Sequence, residues 1–156
     1  MNAKVIDRDR AEEAFDNFLM RMDDQIEALE ADARARGVRL DLRIDRLGEV
    51  ERYFNLVAQD APNKEALEST IVSCARYLGE AVRLRYGGKW VLPLDDSSSV
   101  NFNVPVIVGH TGTEVEFSPI SVMRAYSVRR RPNTLARAVA SQVDFRGPEL
   151  DDLIER

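Results

Sequence analysis

The sequence predicts an α+β fold: N-terminal helices packed on a three-stranded antiparallel β-meander, followed by two short C-terminal helices. Three observations carry this. Apolar residues recur at three- and four-residue steps in three stretches before residue 87. Strict two-residue alternation replaces them over residues 100–108. Gly87-Gly88 and Ser118-Pro119 punctuate the two changes of pattern. The 156 residues fit one domain, read as a long acidic N-terminal helix (1–37), a core (38–145) and a C-terminal tail (146–156).

The first helix is expected over 9–35, where Ala11, Phe15, Phe18, Leu19, Met22, Ile26, Leu29 and Ala33 form the apolar stripe. Asp9 reads as its N-cap, with Glu12 three residues on, and Gly37 as its stop. Its opposite face carries Asp16, Asp23, Asp24, Glu27 and Glu30. These form either a solvated face or a docking surface for a basic partner. Residues 38–45, "VRLDLRID", are a short edge strand or an extended connector. A second helix is expected from Arg46 to Gln59, with Asp45 as N-cap, and "DAPNK" (60–64) breaks the chain.

The third helix, Lys64 to Tyr86, has an apolar stripe wide enough for neighbours on more than one side. Gly79 in its middle costs about 1 kcal/mol relative to alanine, so a close approach by another element is expected there. Glu80 has two readings. It is a surface ion-pair partner of Arg76 or Arg83, or a half-buried carboxylate anchoring the turn around Gly87–Trp90. Trp90, the single tryptophan, is expected to fold back over the end of this helix. Strands are expected at 89–94, 100–108 and 113–118, joined by the polar loop 95–99 and a "GHTG" hairpin turn. Ser118 and Pro119 then open a helix to about 128. Asn133 is expected to cap a last helix whose inner face uses Leu135, Ala138, Val139 and Val143.

The chemistry is mostly negative. One cysteine, Cys74, excludes an internal disulfide and a Cys-based zinc site, and its place on an apolar face makes it a buried hydrophobe. His110, the only histidine, reads as an exposed hairpin residue without a second metal ligand at motif spacing. The glycines form no phosphate-cradling pattern, and the pairs Asp23/Asp24, Asp95/Asp96 and Asp151/Asp152 lack the oxygen spacing of a calcium loop. No catalytic residue, metal or cofactor is expected.

Charge is the most visible surface feature. Twenty-two basic against 27 acidic residues give −5, which argues against a general nucleic-acid binder. Yet Arg124, Arg129, Arg130, Arg131 and Arg137 fall within 118–142 without one acidic residue. They either pair with the acidic first helix of the same chain or meet a partner. As a nucleic-acid patch they have only Tyr126 for stacking. The charged start "MNAKVIDRDRAEEAF" does not resemble a signal peptide, and no stretch approaches the ~20 apolar residues of a membrane span, so a cytoplasmic location is expected.

The segment "YLGEAVRLRYGGKW" (77–90) resembles a signature of small, mostly uncharacterised bacterial α+β proteins: a helix ending in Leu-Gly-Glu, a glycine turn, then Trp and a short sheet. "LDLRIDRLGEVERYF" (40–54) and "FSPISVMRAYSVRRRPNTLA" (117–136) extend the resemblance over residues 38–143. It implies a fold rather than an activity. In size and build such proteins are similar to immunity proteins, which act by binding a toxin. The expected function is therefore a non-enzymatic protein–protein interaction module, an immunity or adaptor protein. The alternatives are a nucleic-acid accessory protein using the 124–137 arginines and a small enzyme using Glu80 or His110.

Overall fold

The computed structural model describes residues 6–111 and 115–142. Its elements are α1 (Arg8–Met20), α2 (Met22–Ala35), a 3₁₀ turn (Ile44–Arg46), α3 (Leu47–Asp60), α4 (Lys64–Tyr86), β1 (Lys89–Val91), β2 (Val106–Val108), α5 (Pro119–Arg129) and α6 (Thr134–Gln142). This overturns the expected architecture. The described chain is mainly helical, and its sheet is a two-stranded antiparallel ribbon rather than a three-stranded meander.

The meander fails for local reasons. Trp90 pairs with Ile107 in the centre of the ribbon. Beyond it stand Pro93 and Pro105, which have no N–H to give a ladder. Asn103 adopts a left-handed conformation (φ 60°) and donates its N–H to Pro93 O at 2.7 Å. Turn bonds consume the N–H groups of Ser99, Phe102 and Val104. The Val100–Val104 alternation therefore lies in turns, leaving Val100 90% exposed while Phe102 is buried. Phe117 exchanges two hydrogen bonds with Ile107 (2.8 and 2.9 Å), an isolated bridge among the described residues; residues 113 and 114 of the third expected strand lie outside them.

Packing centres on α4, which touches α2, α3, α5 and the ribbon. Asn63 Oδ1 caps it by accepting Ala66 N–H at 2.9 Å, and Gly87 closes it at φ 87°. Its buried residues include Ile71, Cys74, Ala75, Leu78, Ala81 and Val82. Burial pushes the Cys74 thiol up to about 12, so it stays a protonated hydrophobe.

The helix expected over 9–35 is divided at Arg21. Phe18, the one buried residue of α1, meets Trp90 edge-on at 5.0 Å, whereas α2 lays Met22, Ile26, Leu29 and Ala33 on the core. The Arg76 guanidinium lies 4.5 Å over the Phe18 ring. Asp7, not Asp9, caps α1 by accepting Arg10 N–H at 3.2 Å. Residues 38–43 form a connector. Leu42 is left-handed (φ 62°), which a strand does not permit, and its N–H is held by the Tyr77 hydroxyl. Asp45 bonds Arg43 at 3.0 and 2.8 Å instead of capping α3.

Glu80 combines its two readings: it forms the helix ion pair, with Arg83 rather than Arg76, and it anchors the turn to Trp90. Trp90 Nε1–H donates to Glu80 Oε2 at 2.7 Å, and Arg83 Nη1 donates to both carboxylate oxygens at 2.9 Å. Arg83 Nε–H also reaches Gly88 O at 3.2 Å. Gly79 supplies the space: a methyl there would clash with the Trp90 ring and lie 3.1 Å from Pro119 Cγ. Gly79→Ala is therefore expected to destabilise by about 1–3 kcal/mol, overpacking outweighing the roughly 1 kcal/mol gain in helix propensity. Glu80→Ala should also cost about 1–3 kcal/mol, because it strands the indole N–H, and Glu80→Gln should cost less. Urea midpoints of the three variants check the ranking.

Candidate functional site

The five arginines singled out in the sequence gather on and around the turn between α5 and α6. That turn is built by backbone geometry. Arg130 closes α5 in the left-handed region (φ 54°), its N–H bonded to Tyr126 O at 2.7 Å. Asn133 is left-handed too (φ 70°). Thr134 Oγ1–H then donates to Arg131 O at 2.6 Å.

One face of α3 holds the turn. Glu51 is 6% exposed and accepts Asn133 N–H on Oε1 at 3.0 Å and Leu135 N–H on Oε2 at 2.9 Å. A carboxylate remote in sequence thus satisfies the free N–H groups at the start of α6, where the helix dipole also favours negative charge. The expected cap, Asn133, contributes its backbone N–H instead. Tyr126 hydroxyl donates to Asn55 Oδ1 at 2.9 Å, and its ring meets Phe54 edge-on at 5.7 Å. Glu51, Phe54 and Asn55 are three and four residues apart, so they share one helix face. Only the spacing was legible in the sequence. Nothing there marked Glu51 as buried.

The arginines differ in what they touch. Arg124 pairs with Glu68 of α4. Arg130 lies 5.3 Å over the Phe54 ring, and Arg137 Nη1–H donates to Pro132 O at 3.2 Å. Arg129 and Arg131 are exposed, and among the described residues neither guanidinium has a carboxylate partner. Pairing with the acidic first helix is not observed among the described residues. Val128, 80% exposed, adds an apolar side chain beside them.

On α1 and α2, Asp16, Asp23, Asp24 and Glu27 are exposed. Glu30 is half-buried, and desolvation raises its carboxyl above the ordinary range, with Glu27 and Asp41 adding repulsion against the opposing pull of Arg34. Asp32, not singled out in the sequence, accepts the Tyr53 hydroxyl at 2.6 Å and Arg36 Nε–H at 3.0 Å. The Tyr53 bond foremost holds it below the usual carboxylate range.

His110 corrects the exposed-turn reading. It is 5% exposed, its ring lies 6.4 Å from Phe117, and its Nε2 stands 3.4 Å from Gln142 O. Among the described residues its buried Nδ1 has no partner. Glu80 and His110 each have separate structural partners, and no group of three metal-ligating side chains occurs among the described residues. No described helix is long and apolar enough to cross a membrane. Val143 and the tail expected from 146 lie outside the described residues.

No family model matches this chain, nor does any curated protein or solved structure.

Glu51→Ala is expected to remove the remote cap at a cost of about 1–3 kcal/mol. Amide exchange at Asn133 and Leu135 should accelerate more than at α4, which distinguishes local release from global loss. His110 gives a pH signature. Burial lowers its pKa from 6.5, the bond to Gln142 opposing, so the folded state prefers neutral imidazole. Its contribution is complete above pH 6.5 and is lost as pH falls from there through the lower folded value. The melting temperature of the parent should fall more between pH 7 and pH 5 than that of His110→Gln, which keeps a donor for Gln142.

Proposed function

We propose that this chain is a non-enzymatic protein-binding module whose α5–α6 arginine corner docks an acidic partner protein. One observation carries the reading: Arg129 and Arg131 are exposed and without a carboxylate partner among the described residues, in a chain of net charge −5. Arginine is enriched among residues that dominate protein interfaces. The Glu51, Phe54 and Asn55 contacts hold the displaying turn in place, and such preorganisation lowers the entropy lost on docking. The finer reading, an immunity or adaptor protein of the bacterial cytoplasm, rests on the resemblance of residues 77–90 and on the lack of a catalytic constellation among the described residues.

The nucleic-acid alternative loses support. Tyr126, the one aromatic available for stacking, is 1% exposed and bonded to Asn55. The small-enzyme alternative is weakened likewise, because Glu80 is committed to Trp90 and Arg83.

Co-purification with the full chain as bait tests the proposal. The expected result is an acidic protein that binds the parent and is lost from Arg129→Glu/Arg131→Glu, while that variant keeps the parent's melting temperature. Capture that survives the double reversal would refute the corner as the docking surface. Salt-sensitive binding of single-stranded DNA or RNA, tighter than the roughly 10⁻⁶ M of non-specific contacts and lost on the same reversal, would favour the nucleic-acid reading.

A further inference from the structure

A groove of about 580 Å³ opens between α1 and the far end of the ribbon. Its volume lies within the roughly 300–1,000 Å³ typical of small-molecule sites. Phe15 and Phe18 of α1, Leu92 and Pro105 beside the strands, and Ile120 of α5 form its apolar lining. Ala11 and Ala14 line it from α1. Their small side chains keep it open.

The polar lining comes from Asp7, Arg10 and Asn103. Asp7 keeps its charge, but its carboxylate stands at the N-terminus of α1, where it accepts Arg10 N–H and the helix dipole offsets it. Asn103 is neutral, and its backbone N–H is already given to Pro93 O. Arg8, two residues before Arg10, is matched by Glu12 and Asp95. Among the described residues, the Arg10 guanidinium has no carboxylate partner. The groove therefore combines an apolar channel with a guanidinium that no carboxylate among the described residues pairs.

We infer that this groove binds an amphipathic anion, a medium-chain alkyl carboxylate whose chain lies against Phe15, Phe18 and Ile120 and whose head group pairs with Arg10. A guanidinium recognises a carboxylate through two parallel N–H···O bonds, and the apolar walls take the chain without competing for the head. The site is separate from the arginine corner, so the two proposals stand or fall independently.

The single tryptophan provides the readout. Trp90 meets Phe18 at 5.0 Å, and Phe18 lines the groove, so an occupant there should alter Trp90 emission. The full chain is titrated with decanoate, decanol and decylamine below their aggregation concentrations, with calorimetry in parallel. Decanoate is expected to bind saturably at one per chain and more tightly than decylamine. Arg10→Gln should weaken decanoate about tenfold, the scale of one charge-assisted contact, and leave any decanol binding unchanged. Ala14→Phe should block the groove and abolish the decanoate signal. Ala11→Leu serves the same end if Ala14→Phe does not fold, as judged by circular dichroism.

Absence of saturable decanoate binding would overturn the inference. So would equal affinity for decanoate and decylamine, or binding that is indifferent to both the Arg10 and the groove-filling substitutions. A concentration-dependent dimer that dissociates on Ala14→Phe would identify a second copy as the occupant and exclude the small ligand.

Discussion

The structure depends on one carboxylate. Glu80 accepts the indole N–H of Trp90 and, on both oxygens, Arg83 Nη1, while Arg83 Nε–H also reaches Gly88 O. This fixes the turn from α4 into β1 and seats the Trp90 ring over Gly79. From that seat the ring meets Phe18, the one buried residue of α1, and Pro119 stands next to the same glycine. The α4–β1 joint thus brings α1, through Phe18, and α5, through Pro119, to one place in the core. The polar edge of Trp90 is satisfied where an unpaired buried donor would be costly.

Glu51 repeats the device between α3 and the start of α6. Buried carboxylates are costly unless fully hydrogen-bonded, and Glu51 is bonded on both oxygens by backbone N–H groups of the α6 N-terminus. The cap ties α6 to α3, and the Tyr126–Asn55 bond ties α5 to the same face. The arginine corner is consequently displayed from a turn that both flanking helices and α3 hold. These commitments also bear on function. Glu80 and Glu51, the two acidic residues most withdrawn from water in these joints, serve architecture, which is why the proposed binding sites are the exposed arginine corner and the α1 groove.

Much of the helical framework was legible in the sequence. The span of α4 and its glycine stop follow from periodicity and from the chain geometry of Gly87, whereas Asn63 was read as part of the preceding break and only the structure shows it capping the helix. Gly79 was legible as a place of close approach, though not the identity of what approaches. The ribbon was overestimated because Val100, Phe102 and Val104 alternate as a strand does, yet Pro93, Pro105 and the left-handed Asn103 remove or redirect the ladder bonds. His110 was misjudged because flanking glycines signal a turn and say nothing about burial. The arginines were legible as a charge asymmetry, but not which of them would find internal partners.

The sequence by itself determined what depends on neighbours along the chain: helix periodicity, the Ser118 cap, the break at 60–64 and the change of pattern at Gly87-Gly88. Tertiary structure alone decided that Glu51 caps a helix 82 residues away, that Arg124 meets Glu68 rather than the acidic α1–α2 face, and that Arg129 and Arg131 face outward. The reason is physical. A hydrogen-bonding group is satisfied by whichever partner the packed core brings within about 3 Å, and that choice is made by the arrangement of helices in space, which periodicity does not encode.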